Sequence, residues 1–116
     1  MPLIRLETTE AFSEEQASSL CEKLSRIAAE ATGKPEQYVE AIVQRPAAAV
    51  RFSGSAGPAA FVEVRSVGGL TPKVNREIAE RVCALLAESG IAGERVYLNF
   101  TDVPASHWGF DGSTFG

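Results

Sequence analysis

Metal-ligating and redox-active side chains are scarce in this chain. It has one histidine, His107, and two cysteines, Cys21 and Cys83, among 116 residues. With no Cys/His cluster, a zinc site is not expected. Two isolated cysteines, each set in an apolar helical pattern, do not make a disulfide framework and read as small buried hydrophobes. Basic charge is in short supply as well: eleven Lys and Arg against fifteen Asp and Glu give a net charge of −4. No basic stretch is interleaved with aromatics, so the concentrated positive footprint that nucleic-acid binding needs is missing. Long apolar runs are also absent, and none approaches the ~20 residues of a membrane span. Residues 1–7 lack the basic lead and apolar stretch of a signal peptide. The expectation is a cytoplasmic globular protein, and a 45% hydrophobic, 22% charged composition fits that class. The length suits one domain, residues 1–116, built on one core.

What is present falls into two similar halves. An apolar strand is expected over residues 3–7, followed by a helix whose start carries a capping box, with Ser13 as N-cap and Gln16 three residues on. Ala17, Leu20, Cys21, Leu24, Ile27, Ala28 and Ala31 recur at helical spacing. Gly33 suits a left-handed closing residue and Pro35 prevents continuation, with a second strand at about residues 38–44. The order then repeats. Residues 60–66 read as a strand, Thr71 caps a helix with Pro72 at its first position, Ile78, Val82, Leu85 and Leu86 form the apolar stripe, and Gly90 ends it. Residues 95–100 form the matching strand, while residues 45–58, rich in Ala, Gly, Ser and Pro, read as turns.

Each half is thus strand, helix, strand, and a helical crossover favours parallel, right-handed pairing. The fold class expected is α/β (α+β): two pseudo-symmetric βαβ units in a four-stranded mixed sheet, both helices on one face. The strands do not alternate cleanly, so the other face is expected to carry apolar side chains that a partner subunit covers. The tail after residue 100 is too polar and Gly-rich for a helix, yet it holds Trp108, Phe110 and Phe115, which need a surface to pack on.

Pro2 stands first among residues able to carry chemistry. Loss of Met1 would leave a secondary amine on a rigid ring at the start of a strand. Burial among apolar groups would lower its pKa toward the working pH of a general base. Read alone, Met-Pro is merely how a protein begins. Lys34 either favours the C-terminus of the first helix electrostatically or holds a substrate carboxylate as a point charge. Tyr97 and Asn99 share one face of the last strand and line a pocket or sit on a sheet surface; pattern does not separate these readings. His107, a lone histidine in a polar tail, is expected to be solvent-exposed.

The residues Met1-Pro2, the run Ala31-Thr32-Gly33-Lys34-Pro35-Glu36-Gln37-Tyr38, Ser66-Val67-Gly68, Asn75-Arg76, Arg95-Val96-Tyr97-Leu98-Asn99-Phe100 and the ending Gly112-Ser113-Thr114-Phe115-Gly116 are specific through their order and spacing. On them the chain resembles the macrophage migration inhibitory factor and D-dopachrome tautomerase family over nearly its whole length. That resemblance implies a homotrimer with interfacial active sites and proton transfer α to a carbonyl, acting on keto/enol acids such as phenylpyruvate. It implies Pro2 as acid and base, Lys34 and the backbone amide of Val67 on the substrate's oxygens, and Tyr38 and Phe115 lining the pocket. Tyr97 and Asn99 would come from the adjacent subunit. No metal or organic cofactor is implied. Three departures from the vertebrate cytokine stand out. Its Cys-x-x-Cys motif is replaced by Ala59-Ala60-Phe61-Val62, which excludes a thiol–disulfide role for that stretch. Val67 replaces an isoleucine. Trp108 and Phe110 replace valine and tryptophan, keeping the rim aromatic but rearranged. The resemblance leaves two alternatives to the enzyme: a receptor-binding signalling protein with incidental tautomerase activity, and a structural trimer.

Overall fold

The protein's structure, a computed structural model, describes residues 1–116. β1 (Leu3–Thr8), α1 (Glu14–Thr32) and β2 (Glu40–Val43) form the first half. β3 (Ala60–Ser66), α2 (Pro72–Ala87) and β4 (Val96–Asp102) form the second. The strand order is β2-β1-β3-β4. Strands pair in parallel within each half, β1 with β2 and β3 with β4, while β1 and β3 join the halves antiparallel. The sheet is therefore mixed, as the two-βαβ reading requires.

Local signals in the chain set the helix limits. Ser13 and Gln16 form the reciprocal capping box, Ser13 Oγ accepting from the Gln16 N–H and Gln16 Oε1 accepting from the Ser13 N–H. Gly33 closes α1 in the left-handed region at φ 71°, its N–H donating to the Ala29 carbonyl. Thr71 caps α2 through the Val74 N–H, with Pro72 at the first turn. Gly90 acts later than expected. α2 stops at Ala87, and three tighter turns carry the chain to Gly90, which reverses it at φ 81°. Both second strands are also preceded by a single 3-10 turn, at Glu36–Tyr38 and Gly93–Arg95. These turns withdraw Tyr38 and Arg95 from the strands expected to begin there.

Both helices lie on one face of the sheet. Ile4, Leu6, Val62, Val64, Leu24, Ile78, Val82 and Leu86 are fully buried and meet in one core. An ion pair between Glu30 and Arg81 links the helices at the surface.

The opposite face corrects the expectation of an apolar surface. Strand alternation is clean in β1 and β3, and the residues opposite the core include Arg5, Glu7, Glu63 and Arg65. The Arg5 guanidinium lies 3.0 Å from Glu7 and 3.6 Å from Glu63, and donates to Gln44 at 3.1 Å; Arg65 meets Glu63 at 3.2 Å. The register puts Arg5 directly opposite Glu63, so charge complementarity and not apolar burial organises the middle of this face. Leu3, Ile42, Phe61 and Tyr97 are its apolar positions, distributed around that centre.

Candidate active site

Pro2 heads β1 with its side chain fully buried. Its carbonyl accepts from the Glu40 N–H at 3.0 Å, so the first β1–β2 ladder bond holds the ring in place. A proline is tolerated there because the start of a strand needs no further donor. Met1 lies over it, half-buried. A concavity of about 290 Å³ opens beside the ring, with Met1, Pro2, Tyr38, Trp108, Phe110 and Phe115 on its walls. Five residues expected in or near a site from separate stretches of the chain thus meet at one place: Pro2, Tyr38, Trp108, Phe110 and Phe115. Gln37, Val39 and Glu40 also line it. The sequence reading left them out, although Gln37 lies in the turn that carries Tyr38, and Val39 and Glu40 follow it into β2.

The aromatic wall depends on a hairpin that the sequence reading missed. β5 (Gly109–Phe110) and β6 (Ser113–Thr114) pair antiparallel. Between them, Asp111 and Gly112 have φ 49° and 81°. Two positive-φ residues between paired strands make a type I′ turn, and Asp-Gly is among its strongest sequence signals. In the sequence this Asp-Gly pair lacks the alternating flanking strands that usually mark a hairpin. The hairpin stacks Phe110 on Phe115, ring centroids 6.0 Å apart and nearly parallel, and the Phe115 N–H donates to the Trp108 carbonyl. His107, just before it, is exposed.

Lys34 follows the left-handed Gly33, and its side chain leaves α1 altogether. The ammonium donates to the Val67 carbonyl at 2.7 Å, in the turn after β3. This geometry favours neither of the last α1 carbonyls, so Lys34 bridges the two halves of the chain. It also lies close enough to the N-terminus to act on it electrostatically. The Met1 ammonium is held below its ordinary pKa, chiefly because burial desolvates it and secondly because the Lys34 charge repels a proton. The Val67 carbonyl is thereby engaged by Lys34, which leaves the Val67 amide a separate group.

Tyr97 and Asn99 do not line this concavity in the same chain. β4 is an edge strand two positions from β1, and Tyr97 pairs with Phe61 toward the far end of β3. Tyr97 is two-thirds exposed and packs on Phe52, centroids 4.7 Å apart. Arg95 lies over the Phe52 ring and is pinned by the carbonyls of Pro58, Ser55 and Gly57. Asn99 Oδ1 accepts from the Thr101 hydroxyl. A larger, more open concavity of about 600 Å³ lies elsewhere, between Thr9, Glu10 and the turns near Arg51 and Pro58. It gathers neither the N-terminus nor the aromatic wall, so size is a poor guide to chemistry here.

The family model described as macrophage migration inhibitory factor matches residues 1–116. The chain belongs to the macrophage migration inhibitory factor family. It is 44% identical over 101 residues to the macrophage migration inhibitory factor homolog of Brugia malayi, covering 86% of this chain and 87% of that one. It is 37% identical over 94 residues to the Rattus norvegicus macrophage migration inhibitory factor, covering 80% and 81%. Among solved structures, the homologue from Prochlorococcus marinus superposes with a TM-score of 0.91 at 40% identity, covering 98% of this chain and 99% of that one. The Toxoplasma gondii protein gives 0.92 at 31% identity, covering 97% and 99%. In this member of the macrophage migration inhibitory factor family, the N-terminal amine and an aromatic wall share one small concavity, and the Lys34 ammonium, outside its lining, acts on that amine electrostatically. Such a set can take a planar aromatic acid and exchange a proton with it.

Proposed function

We propose that the protein is a tautomerase that interconverts keto and enol forms of phenylpyruvate-like α-keto acids, with the Pro2 amine, freed by loss of Met1, as general base and acid. The observation that carries this reading is the burial of Pro2 beside the aromatic concavity. An amine one residue earlier already has a lowered pKa there, through desolvation first and the Lys34 charge second, and the Pro2 ring stands in the same surroundings. The neutral Pro2 nitrogen takes a proton from the carbon next to the carbonyl. The C–H pair becomes the C=C bond, the carbonyl π pair moves to oxygen, and the Pro2 ammonium returns its proton to that oxygen. Lys34 holds the carboxylate, and the Val67 backbone amide donates to the oxygen where charge develops. Tyr38, Trp108, Phe110 and Phe115 contact the ring. Tyr97 and Asn99 complete the site from an adjacent subunit of a homotrimer. Their distance from Pro2 within one chain supports that assignment. No metal or organic cofactor enters the reaction.

The test compares phenylpyruvate turnover by protein with and without Met1, each N-terminus verified by mass spectrometry and each sample matched in oligomer content by light scattering. With Met1 present the Pro2 nitrogen is an amide, so activity should fall by about 10²–10⁴-fold, the range for loss of a positioned acid–base group. Equal activity in the two forms removes Pro2 as the base. A stable monomer at micromolar concentration removes the contribution of Tyr97 and Asn99.

A further inference from the structure

The turn after β3 contains two successive left-handed glycines, Gly68 at φ 76° and Gly69 at φ 85°. Their surroundings differ. A Cβ added to Gly68 would meet nothing within 4 Å. One added to Gly69 would lie 2.9 Å from Cε of Lys34 and 3.7 Å from its Nζ. The lysine stem therefore crosses directly over the bare Cα of Gly69 on its way to the Val67 carbonyl. Backbone conformation accounts for glycine at both positions, but only Gly69 has a second reason, the close approach of a side chain.

We propose that Gly69 is a positioning residue of the N-terminal site, its missing side chain forming the notch that seats the Lys34 stem and fixes where the ammonium stands. This deepens the reading of Lys34 as the carboxylate-binding group and rests on it. Going from 2.9 Å to an ordinary contact of 3.4–4 Å moves the stem by roughly 0.5–1 Å, enough in an enzyme site to cost up to about a hundredfold. The atom that must yield is near the free end of a flexible four-carbon chain, so an alanine at this position relocates the ammonium and leaves the fold intact. Because the Lys34 charge acts on the terminal amine, its displacement also alters that amine's titration.

The test uses Gly69→Ala and Gly68→Ala, each in the natural sequence and in a Lys34→Ala background. Gly68→Ala carries the same left-handed backbone penalty without the contact. In the natural background, Gly69→Ala should lower the urea midpoint more than Gly68→Ala does. With Lys34→Ala present, the two should lower it equally. In steady-state kinetics, Gly69→Ala should raise KM for phenylpyruvate by about tenfold and leave kcat within about twofold, the pattern of lost uniform binding; Gly68→Ala should leave both within about twofold. Equal effects of the two substitutions in both backgrounds would overturn the proposal and leave Gly69 a purely conformational glycine. If Gly69→Ala fails to fold, restoration of folding by Lys34→Ala supports the notch, and continued failure overturns it. If the unsubstituted protein turns over no keto acid, the tautomerase reading falls, while the urea comparison still decides whether Gly69 seats Lys34.

Discussion

Replacing Lys34 by alanine separates binding from folding at the site. In the structure its ammonium makes one hydrogen bond, 2.7 Å to the Val67 carbonyl, from a half-buried side chain. Hydrogen bonds to charged groups contribute about 1.5–3 kcal/mol. Partial exposure places this one at or below the lower end, near 1.5 kcal/mol, because solvent screens the charge. For a chain of this size that lowers Tm by about 6 °C. Loss of the contact to a substrate carboxylate, in the same energy range, raises KM by about tenfold to a hundredfold. Since the carboxylate is held equally before and during proton transfer, kcat should change much less. The assay measures kcat and KM for phenylpyruvate and for its uncharged methyl ester, alongside a thermal melt. The acid should lose affinity and the ester should not. Equal losses for acid and ester would refute the carboxylate role. A lowered Tm with unchanged KM would reduce Lys34 to a strut between the two halves.

Three further outcomes follow from particular contacts. Ser13→Ala removes the capping box of α1, far from the aromatic wall, and should cost about 1 kcal/mol in urea unfolding with no change in turnover. Gly112→Ala places a side chain at φ 81° in the hairpin turn, at a penalty of about 1–2 kcal/mol confined to that turn. It should loosen the Phe110–Phe115 stack and raise KM for phenylpyruvate more than for a keto acid without a ring; equal effects would detach the hairpin from ring recognition. In protein that keeps Met1, the terminal amine should titrate below its ordinary value by NMR, and Lys34→Gln should raise it by removing the repelling charge. The folded state then binds fewer protons than the unfolded one between the folded and unfolded pKa values, so stability should rise with pH across that window and decline as pH falls through it.

The sequence by itself determined the two helices, the four main strands and their order. Caps and breakers act within a few residues of their position, so Ser13 with Gln16, Gly33 with Pro35, and Thr71 with Pro72 set helix limits that the fold retained. The βαβ repeat and its mixed sheet were legible for the same reason, since periodicity records which face is buried. The family was legible from short runs spaced along the chain. Tertiary structure decided the rest. No local pattern could say that the Lys34 ammonium leaves its helix for a carbonyl 33 residues away, or that the tail's Asp111–Gly112 turn folds Phe110 and Phe115 over Pro2, because both are long-range contacts. The charged centre of the open sheet face was likewise set by register. Arg5 and Glu63 are unremarkable apart in sequence, and only antiparallel pairing of β1 with β3 places them opposite one another and turns an expected apolar surface into an ion-paired one.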